Sequence, residues 1–266
     1  MEKYRRSSTA IMKMAFLDIM SYKMNIISII LSHILDLVLN IYLWKFILLN
    51  KESLYGYTVE DMYIYISLAI VLNSFFNTPR RLPSTVSHDI ISGSIASKLI
   101  YPIDYYDYYW WYCIGRGAFF LLFVGMPLLL ISLFLFGTWY SMSFVKIMLL
   151  IVSVILGYFI ETSIAMIVCG IVFWTEKSGG LIAVATFFAY FFSGRLIPID
   201  FFPQWLKFIV DILPYKFAIY TPISIYLDRV NGIEQICGQA IWLIVLVIFG
   251  KMIFKTAYSK VEIAGG

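Results

Sequence analysis

The sequence predicts an all-α membrane protein with six transmembrane helices, an N-terminal interfacial helix and an external re-entrant segment between helices five and six. Apolar residues make up 61% of the 266 residues and charged residues 14%, whereas soluble domains average close to half apolar and a quarter charged. Several apolar runs reach the roughly twenty residues that cross a bilayer. We therefore expect a single transmembrane domain over residues 1–266.

The chain begins with a predicted interfacial helix in residues 1–24. Ser7, Ser8 and Thr9 are residue types that cap helices. The segment lacks the compact apolar core and small-residue cleavage site of a signal peptide, so we expect it to be retained. Behind the caps, apolar residues recur at helical spacing: Ile11, Met14, Ala15, Ile19 and Tyr22.

The predicted spans follow as apolar runs between polar stretches. The fourth run is long for one span, so this helix must tilt or protrude. The six runs cover residues 25–49, 62–77, 118–136, 144–173, 180–192 and 236–254.

A polar segment over residues 79–107 separates the second and third spans. Pro79, Pro83 and Pro102 are expected to interrupt helical structure there. Between the prolines, residues 89–99 predict a short helix.

Residues 193–234 are largely apolar, but prolines divide them and leave no uninterrupted span. We expect short interfacial or re-entrant pieces on the outer face. One piece is amphipathic, because Lys207 and Asp211 share a polar face. Its apolar face consists of Trp205, Leu206, Phe208, Ile209, Ile212 and Leu213.

The distribution of basic residues predicts the orientation. If both termini and the segment 79–107 share one side, about two thirds of the 20 arginines and lysines lie there, which marks that side as cytoplasmic. Both termini are therefore expected in the cytoplasm, and residues 193–234 outside.

The chain carries no motif of a nucleotide-hydrolysing enzyme. Gly250-Lys251 lacks the earlier glycine and the following hydroxyl residue of a phosphate-binding loop. No basic block suggests a nucleic-acid partner, and no histidine or carboxylate pattern suggests hydrolysis. Cys113, Cys169 and Cys237 are isolated, which favours buried thiols over disulfides or a zinc site. We expect no cofactor on this chain.

Two motifs carry a family resemblance that covers essentially the whole chain. Residues 89–102 have the sequence DIISGSIASKLIYP before the third predicted span. Residues 192–205 have the sequence FSGRLIPIDFFPQW after the fifth, followed by LPY at 213–215 and TP at 221–222. In this order the motifs resemble the permease subunits of bacterial type-2 ABC exporters, the group that includes drug and antimicrobial-peptide efflux systems.

The resemblance implies an assembly of two permeases, identical or paralogous, on two cytoplasmic ABC ATPases in the bacterial plasma membrane. ATP and Mg would bind to the partner ATPases, so this chain is expected to be a transport subunit and not an enzyme. The segment 79–107 would couple the two proteins, with Asp89, Gly93, Lys98 and Leu99 as candidate contact residues.

Arg80 and Arg81, together with Asp89 and Lys98, could make charge-assisted contacts with such a soluble partner. The alternative for this segment is an ordinary solvated loop that carries cytoplasmic charges.

Four polar residues fall inside predicted spans: His33, Asp36, Asn73 and Glu161. A carboxylate in a span is costly enough to require a partner. They could line a cargo path or relay ions, or they could hold the helices together by hydrogen bonds. His33 is a local candidate partner for Asp36, and Asn73 and Arg116 are further possible partners.

The aromatic run in residues 101–112 has a composition typical of the headgroup zone, and we interpret it as a membrane anchor. An aromatic cargo site is the alternative.

Ala185, Ala189 and Ser193 repeat at a spacing that lets helices approach closely in lipid. This stripe could lie at the contact between two permeases, or it could pack within one subunit.

Together, these observations predict a permease that exports an apolar or amphipathic cargo. An ion-coupled secondary transporter or channel that uses Asp36 and Glu161 is the alternative, and a membrane protein without transport activity is a third class.

Overall fold

The computed structural model describes residues 2–136, 143–175 and 178–258. These residues form helices and turns, and no strand occurs among them. The helices are α1 (Glu2–Met20), α2 (Lys23–Ile47), α3 (Val59–Phe75), α4 (Asn77–Ile91), α5 (Ile95–Leu99), α6 (Tyr105–Phe120), α7 (Met126–Phe136), α8 (Phe144–Val172), α9 (Gly179–Phe192), α10 (Gln204–Ile212), α11 (Tyr220–Tyr226) and α12 (Gly232–Tyr258).

Five helical units in the described part of the chain are long and apolar enough to cross a bilayer, which confirms an all-α membrane protein. The shorter helix α9 has 14 residues, or about 21 Å at 1.5 Å per residue, against a hydrocarbon core of about 30 Å. The sixth span therefore stays a prediction. The five units are Lys23–Ile47, Val59–Ile91, Tyr105–Phe134, Phe144–Val172 and Gly232–Ala257.

The N-terminal helix α1 lies along α6. Ile11, Ala15 and Ile19 are buried on its inner face, and the ring of Phe16 meets the edge of Phe119 at a centroid distance of 5.3 Å. This apolar stripe gives α1 its place in the fold, while its depth in the membrane stays a prediction.

The expectation of a polar loop from residue 79 is wrong for its first half. Helix α4 follows α3 across Phe76, and the two form one unit of 33 residues. Pro79 lies in the first turn of α4, where a missing N–H leaves no broken bond, and Pro83 lies inside the helix. The buried face that includes Leu82 and Val86 holds α4 against the bundle, so tertiary packing outweighs the prolines.

The short helix predicted over residues 89–99 is divided in the structure. Its first residues belong to α4, which ends at Ile91, and its last residues form α5. Between them Gly93 has a φ of +71°, a left-handed conformation that glycine adopts without a steric penalty. Glycine at this position therefore lets the chain turn sharply after α4.

The third span begins much earlier than residue 118. Helix α6 starts at Tyr105 and continues through a π-helical turn at Leu121–Gly125 into α7. The aromatic run predicted as a headgroup anchor forms the first turns of α6, and Tyr105 and Tyr109 are buried there. The anchor interpretation fails for these tyrosines because their hydroxyl groups have partners inside the protein.

Residues 193–231 form short pieces, none as long as a span. Ile199–Phe201 and Pro214–Phe217 are 3₁₀ turns that flank α10. Helix α10 is amphipathic, with Val210 buried and an exposed apolar face, but its membrane depth stays a prediction. Lys207 and Asp211 do not pair with each other, since Lys207 lies 3.9 Å from Asp200 and Asp211 accepts a hydrogen bond from Lys216 at 2.7 Å.

Helix α8 runs through the centre of the bundle and packs along α12. The amide of Gln239 on α12 is fully buried and donates to the carbonyl oxygens of Ser153 at 3.0 Å and Phe217 at 2.9 Å. One side chain thus joins α12, α8 and the turn before α11. Helices α4 and α9 lie against other faces of α8.

Candidate functional site

The carboxylate of Asp89 joins the end of α4 to the start of α6. Its Oδ2 atom accepts hydrogen bonds from Lys98 Nζ at 2.6 Å, from the Tyr105 hydroxyl at 3.0 Å and from the Tyr109 hydroxyl. Its Oδ1 atom accepts from the Ser94 hydroxyl at 3.1 Å. Asp89 is 4% exposed, so these donors replace water around a buried charge.

The structure pairs Asp89 and Lys98 within the chain, and their contact with a soluble partner stays a prediction. The two side chains form an ion pair with each other, and the Lys98 ammonium also lies 5.3 Å from the ring of Tyr109. Both charges are used within the chain. Their role in the structure is to fix the position of α5 relative to α4 and α6.

The surface beyond this carboxylate is apolar and exposed. Ile91 is 76% exposed, Leu99 39% and Ile100 83%, and Gly93 lies exposed between them. We call Ile91, Leu99 and Ile100 the apolar tip. Of the four predicted contact residues, Gly93 and Leu99 are thus at the surface.

A second cluster brings together Arg80, Asn73 and Glu161. Arg80 Nε donates to Glu161 Oε1 at 2.5 Å, and Arg80 Nη1 donates to Asn73 Oδ1 at 2.6 Å. The guanidinium carbon lies 4.7 Å from the ring centroid of Tyr190. The side chains of Arg80 and Glu161 are 5% and 2% exposed, so this cluster is enclosed by α3, α4, α8 and α9.

Arg80 was expected in a solvated loop, and this expectation is wrong because α4 continues into the bundle. Asn73 and Glu161, two of the four predicted intramembrane polar residues, both accept hydrogen bonds from Arg80, which was not predicted as their partner. A buried charge left alone costs several kcal/mol. The arginine therefore satisfies the carboxylate that the fourth predicted span carries.

The other two predicted polar residues lie on α2. Asp36 forms an ion pair with Arg195 and accepts a hydrogen bond from Asn40 at 2.7 Å. His33 is not its hydrogen-bond partner, and within the described residues His33 Nε2 has none. Arg116 is engaged elsewhere, with Asp18 at 3.3 Å. The Asp36 side chain is 32% exposed, against 9% for Arg195.

A cluster at the other end of the bundle, which the sequence did not indicate, joins the turn after α2 to the segment before α10. Asp200 accepts hydrogen bonds from the hydroxyl groups of Tyr57 at 2.6 Å and Tyr220 at 2.9 Å. Burial, and then the bond to Asp200, raises the pKa of Tyr57 well above its usual value, so this hydroxyl stays a donor. Phe201 packs beside it, 5.4 Å from Trp44. Polar residues spread over distant segments gave no motif by which to find this cluster.

The stripe of Ala185, Ala189 and Ser193 faces the interior. Ala189 and Ser193 are buried, and both alanines border a cavity beside Arg80 and Glu161. These contacts favour packing within the subunit, and the dimer interpretation stays a prediction. The exposed face of α9 is a different one: Val184, Phe187 and Phe188.

Comparison with known proteins agrees with this architecture. No curated protein and no solved structure shows a significant match to the chain. A family model described as "ABC-2 family transporter protein" matches residues 34–265, which is most of the chain. The chain therefore belongs to the ABC-2 transporter family and is a multi-pass membrane permease, a transport subunit that does not itself catalyse a reaction.

Proposed function

We propose that this permease is the membrane half of an ATP-driven exporter that moves an apolar or amphipathic cargo out of a bacterial cell. A cytoplasmic ABC ATPase would bind and hydrolyse Mg-ATP, and a second permease, identical or paralogous, would complete the path. Family membership supports a partner ATPase. The apolar tip is the observation that carries the rest of the proposal.

The length of α3 and α4 supports a position of the tip outside the bilayer. Their 33 residues correspond to about 50 Å, which exceeds the hydrocarbon core by about 20 Å. The expected topology has this end of the bundle on the side of both termini, and the distribution of basic residues favours the cytoplasm for that side. An apolar surface held there by Asp89 suits contact with a soluble protein.

The connections behind the tip suggest how force would pass inward. A push on α5 acts on Asp89 and hence on the tyrosines at the start of α6. The same push acts along α4 to Arg80, whose bond to Glu161 reaches α8. Movement of the tip would thus shift three membrane helices together, since rigid helices and buried hydrogen bonds link them.

The tip can be tested by placing a charge on it. Ile100→Asp in the full chain, purified from native membranes, should weaken ATPase co-purification about tenfold or more, because a charge in an apolar contact stays unpaired. Leu196→Asp is the matched control. Leu196 is 52% exposed and follows the C-terminal end of α9, in the segment that is predicted to lie outside. If both variants retain the ATPase equally, the tip is not the docking surface.

The alternative of an ion-coupled transporter or channel would need Asp36 or Glu161 to exchange ions. Each carboxylate faces an arginine, and the two belong to separate clusters. Among the described residues, no contact favours this alternative over export.

A further inference from the structure

The ion pair between Arg80 and Glu161 uses only half of its bonding capacity. In a bidentate pair, Nε and the neighbouring Nη2 of arginine donate side by side to the two oxygens of one carboxylate. Here Nε donates to Oε1, while Arg80 Nη2 and Glu161 Oε2 are buried and have no hydrogen-bond partner among the described residues. A free donor and a free acceptor therefore remain on the same pair.

A small cavity lies beside this pair, between α4, α8 and α9. Its volume is about 20 Å³, and its other walls include Pro83, Ala165 and Ala189. A water molecule needs about 10–15 Å³ measured in this way. The cavity thus has room for one oxygen atom. Thr186 also borders it, but its hydroxyl already donates to the carbonyl oxygen of Ile182 at 2.7 Å. The ion pair is therefore the main source of unused hydrogen-bonding atoms at the cavity.

We propose that this cavity is a binding site for one O–H group, which accepts a hydrogen bond from Arg80 Nη2 and donates one to Glu161 Oε2. The chemistry selects this ligand. An anion would be repelled by the carboxylate and a cation by the guanidinium, whereas a methyl group would leave both atoms unsatisfied. A water molecule or the hydroxyl of an amphiphile supplies both bonds. The site does not depend on ATP-driven export.

Helix α9 offers a way to test the site from within the protein. Ala189 borders the cavity, so Ala189→Ser places a hydroxyl close to the free donor and acceptor. Ala189→Cys is the matched variant, since a thiol has a similar shape but is a weak hydrogen-bonding group. The same exchange at Val184, which is 54% exposed on the opposite face, measures the effect of serine and cysteine on the helix alone.

The measurement is thermal unfolding of the full chain in lipid nanodiscs. Ala189→Ser should unfold about 2–4 °C above Ala189→Cys, the shift expected from one net hydrogen bond in a chain of this size. At Val184 the two variants should not differ in this direction. Ala185 borders the same cavity and provides a second position with the same exchange. The quantity compared is the unfolding temperature of the serine variant minus that of the cysteine variant. If this difference at positions 185 and 189 is no larger than at position 184, the proposal is overturned.

The source of the O–H group is decided by adding 1-decanol or decane to the nanodiscs. If decanol raises the unfolding temperature of the unmodified protein more than decane does, and Ala189→Ser abolishes the difference, the site takes the hydroxyl of an amphiphile. If the two additives act alike while the serine effect holds, the occupant is water. Both results support the site.

Discussion

Two of the arginine–carboxylate pairs in the described part of the chain involve carboxylates of predicted spans, and they differ in how far the protein encloses them. In the enclosed pair, Arg80 and Glu161, the side chains are 5% and 2% exposed. In the open pair, Arg195 and Asp36, they are 9% and 32% exposed. The chemistry is the same, but only the open pair has a carboxylate with about a third of its side chain exposed.

The surroundings explain the difference. The enclosed pair joins α4 to α8 and is covered by Tyr190 of α9. The open pair joins the residues after α9 to α2, and much of α2 is exposed in the single chain. A broken bond in the first pair would leave charge in an apolar interior, whereas Asp36 could turn towards water, a lipid headgroup or another chain. The enclosed pair therefore maintains the bundle, and the open pair is free to respond to α2.

The largest effect is expected from Glu161→Gln. This change leaves the Arg80 guanidinium buried without its counter-charge, which should lower the free energy of unfolding by about 3–5 kcal/mol. Unfolding in denaturant, with the protein in mild detergent, measures the loss. Glu234→Gln is the control, since Glu234 is exposed near the start of α12. Equal stability of the two variants would contradict the enclosure of the pair.

Replacement of both enclosed charges should restore most of that stability. The double variant Arg80→Met with Glu161→Met leaves no charge at this site, and apolar side chains of similar length are often as stable as the pair they replace. The quantity to measure is the coupling free energy from the double-mutant cycle. A double variant as unstable as the sum of the two single variants would show that Arg80 and Glu161 act independently.

A smaller effect is expected for the open pair. Asp36→Asn should lower the free energy of unfolding by about 1 kcal/mol or less, because the partly exposed Asp36 is already partly solvated and Asn40 remains beside it. The variant should fold and assemble normally. Loss of ATP-dependent export with normal assembly would assign Asp36 to the transport path, and failed assembly would contradict the comparison of the two pairs.

The sequence predicted the features that depend on average composition. Long apolar runs identified the helical membrane fold, because lipid selects apolar residues over the full length of a span. The same reasoning failed at α4, where Thr78, Arg80 and Asp89 are polar but buried. Hydropathy cannot distinguish a polar residue in water from one that has a partner inside the protein.

The partners themselves could not be predicted. Arg195 and Asp36 are 159 residues apart, and Arg80 and Glu161 are 81 residues apart. Such pairs form only when the helices pack, so neither local spacing nor charge patterning contains them. The sequence identified both carboxylates as residues that need a partner, but it did not identify Arg80 or Arg195 as those partners.

The final prediction concerns the segment that follows Arg195 and includes α10. It tests the position of this segment, and the substitutions are not expected to change the stability of the protein. In helix α10, Asp211 is exposed, and Phe208 is 69% exposed. Single cysteines at these two positions, in a Cys237→Ser background, should therefore react equally with a maleimide in water.

If α10 lies on the outer membrane surface, an impermeant maleimide applied outside intact cells should label position 211 and leave 208 protected by lipid, since the apolar face is buried in the headgroup zone. As a control, the cysteines at positions 208 and 211 should both react with the maleimide when the protein is unfolded in urea without detergent. Equal labelling of both positions in cells would contradict an interfacial position of α10, and labelling from the cytoplasmic side alone would reverse the predicted orientation.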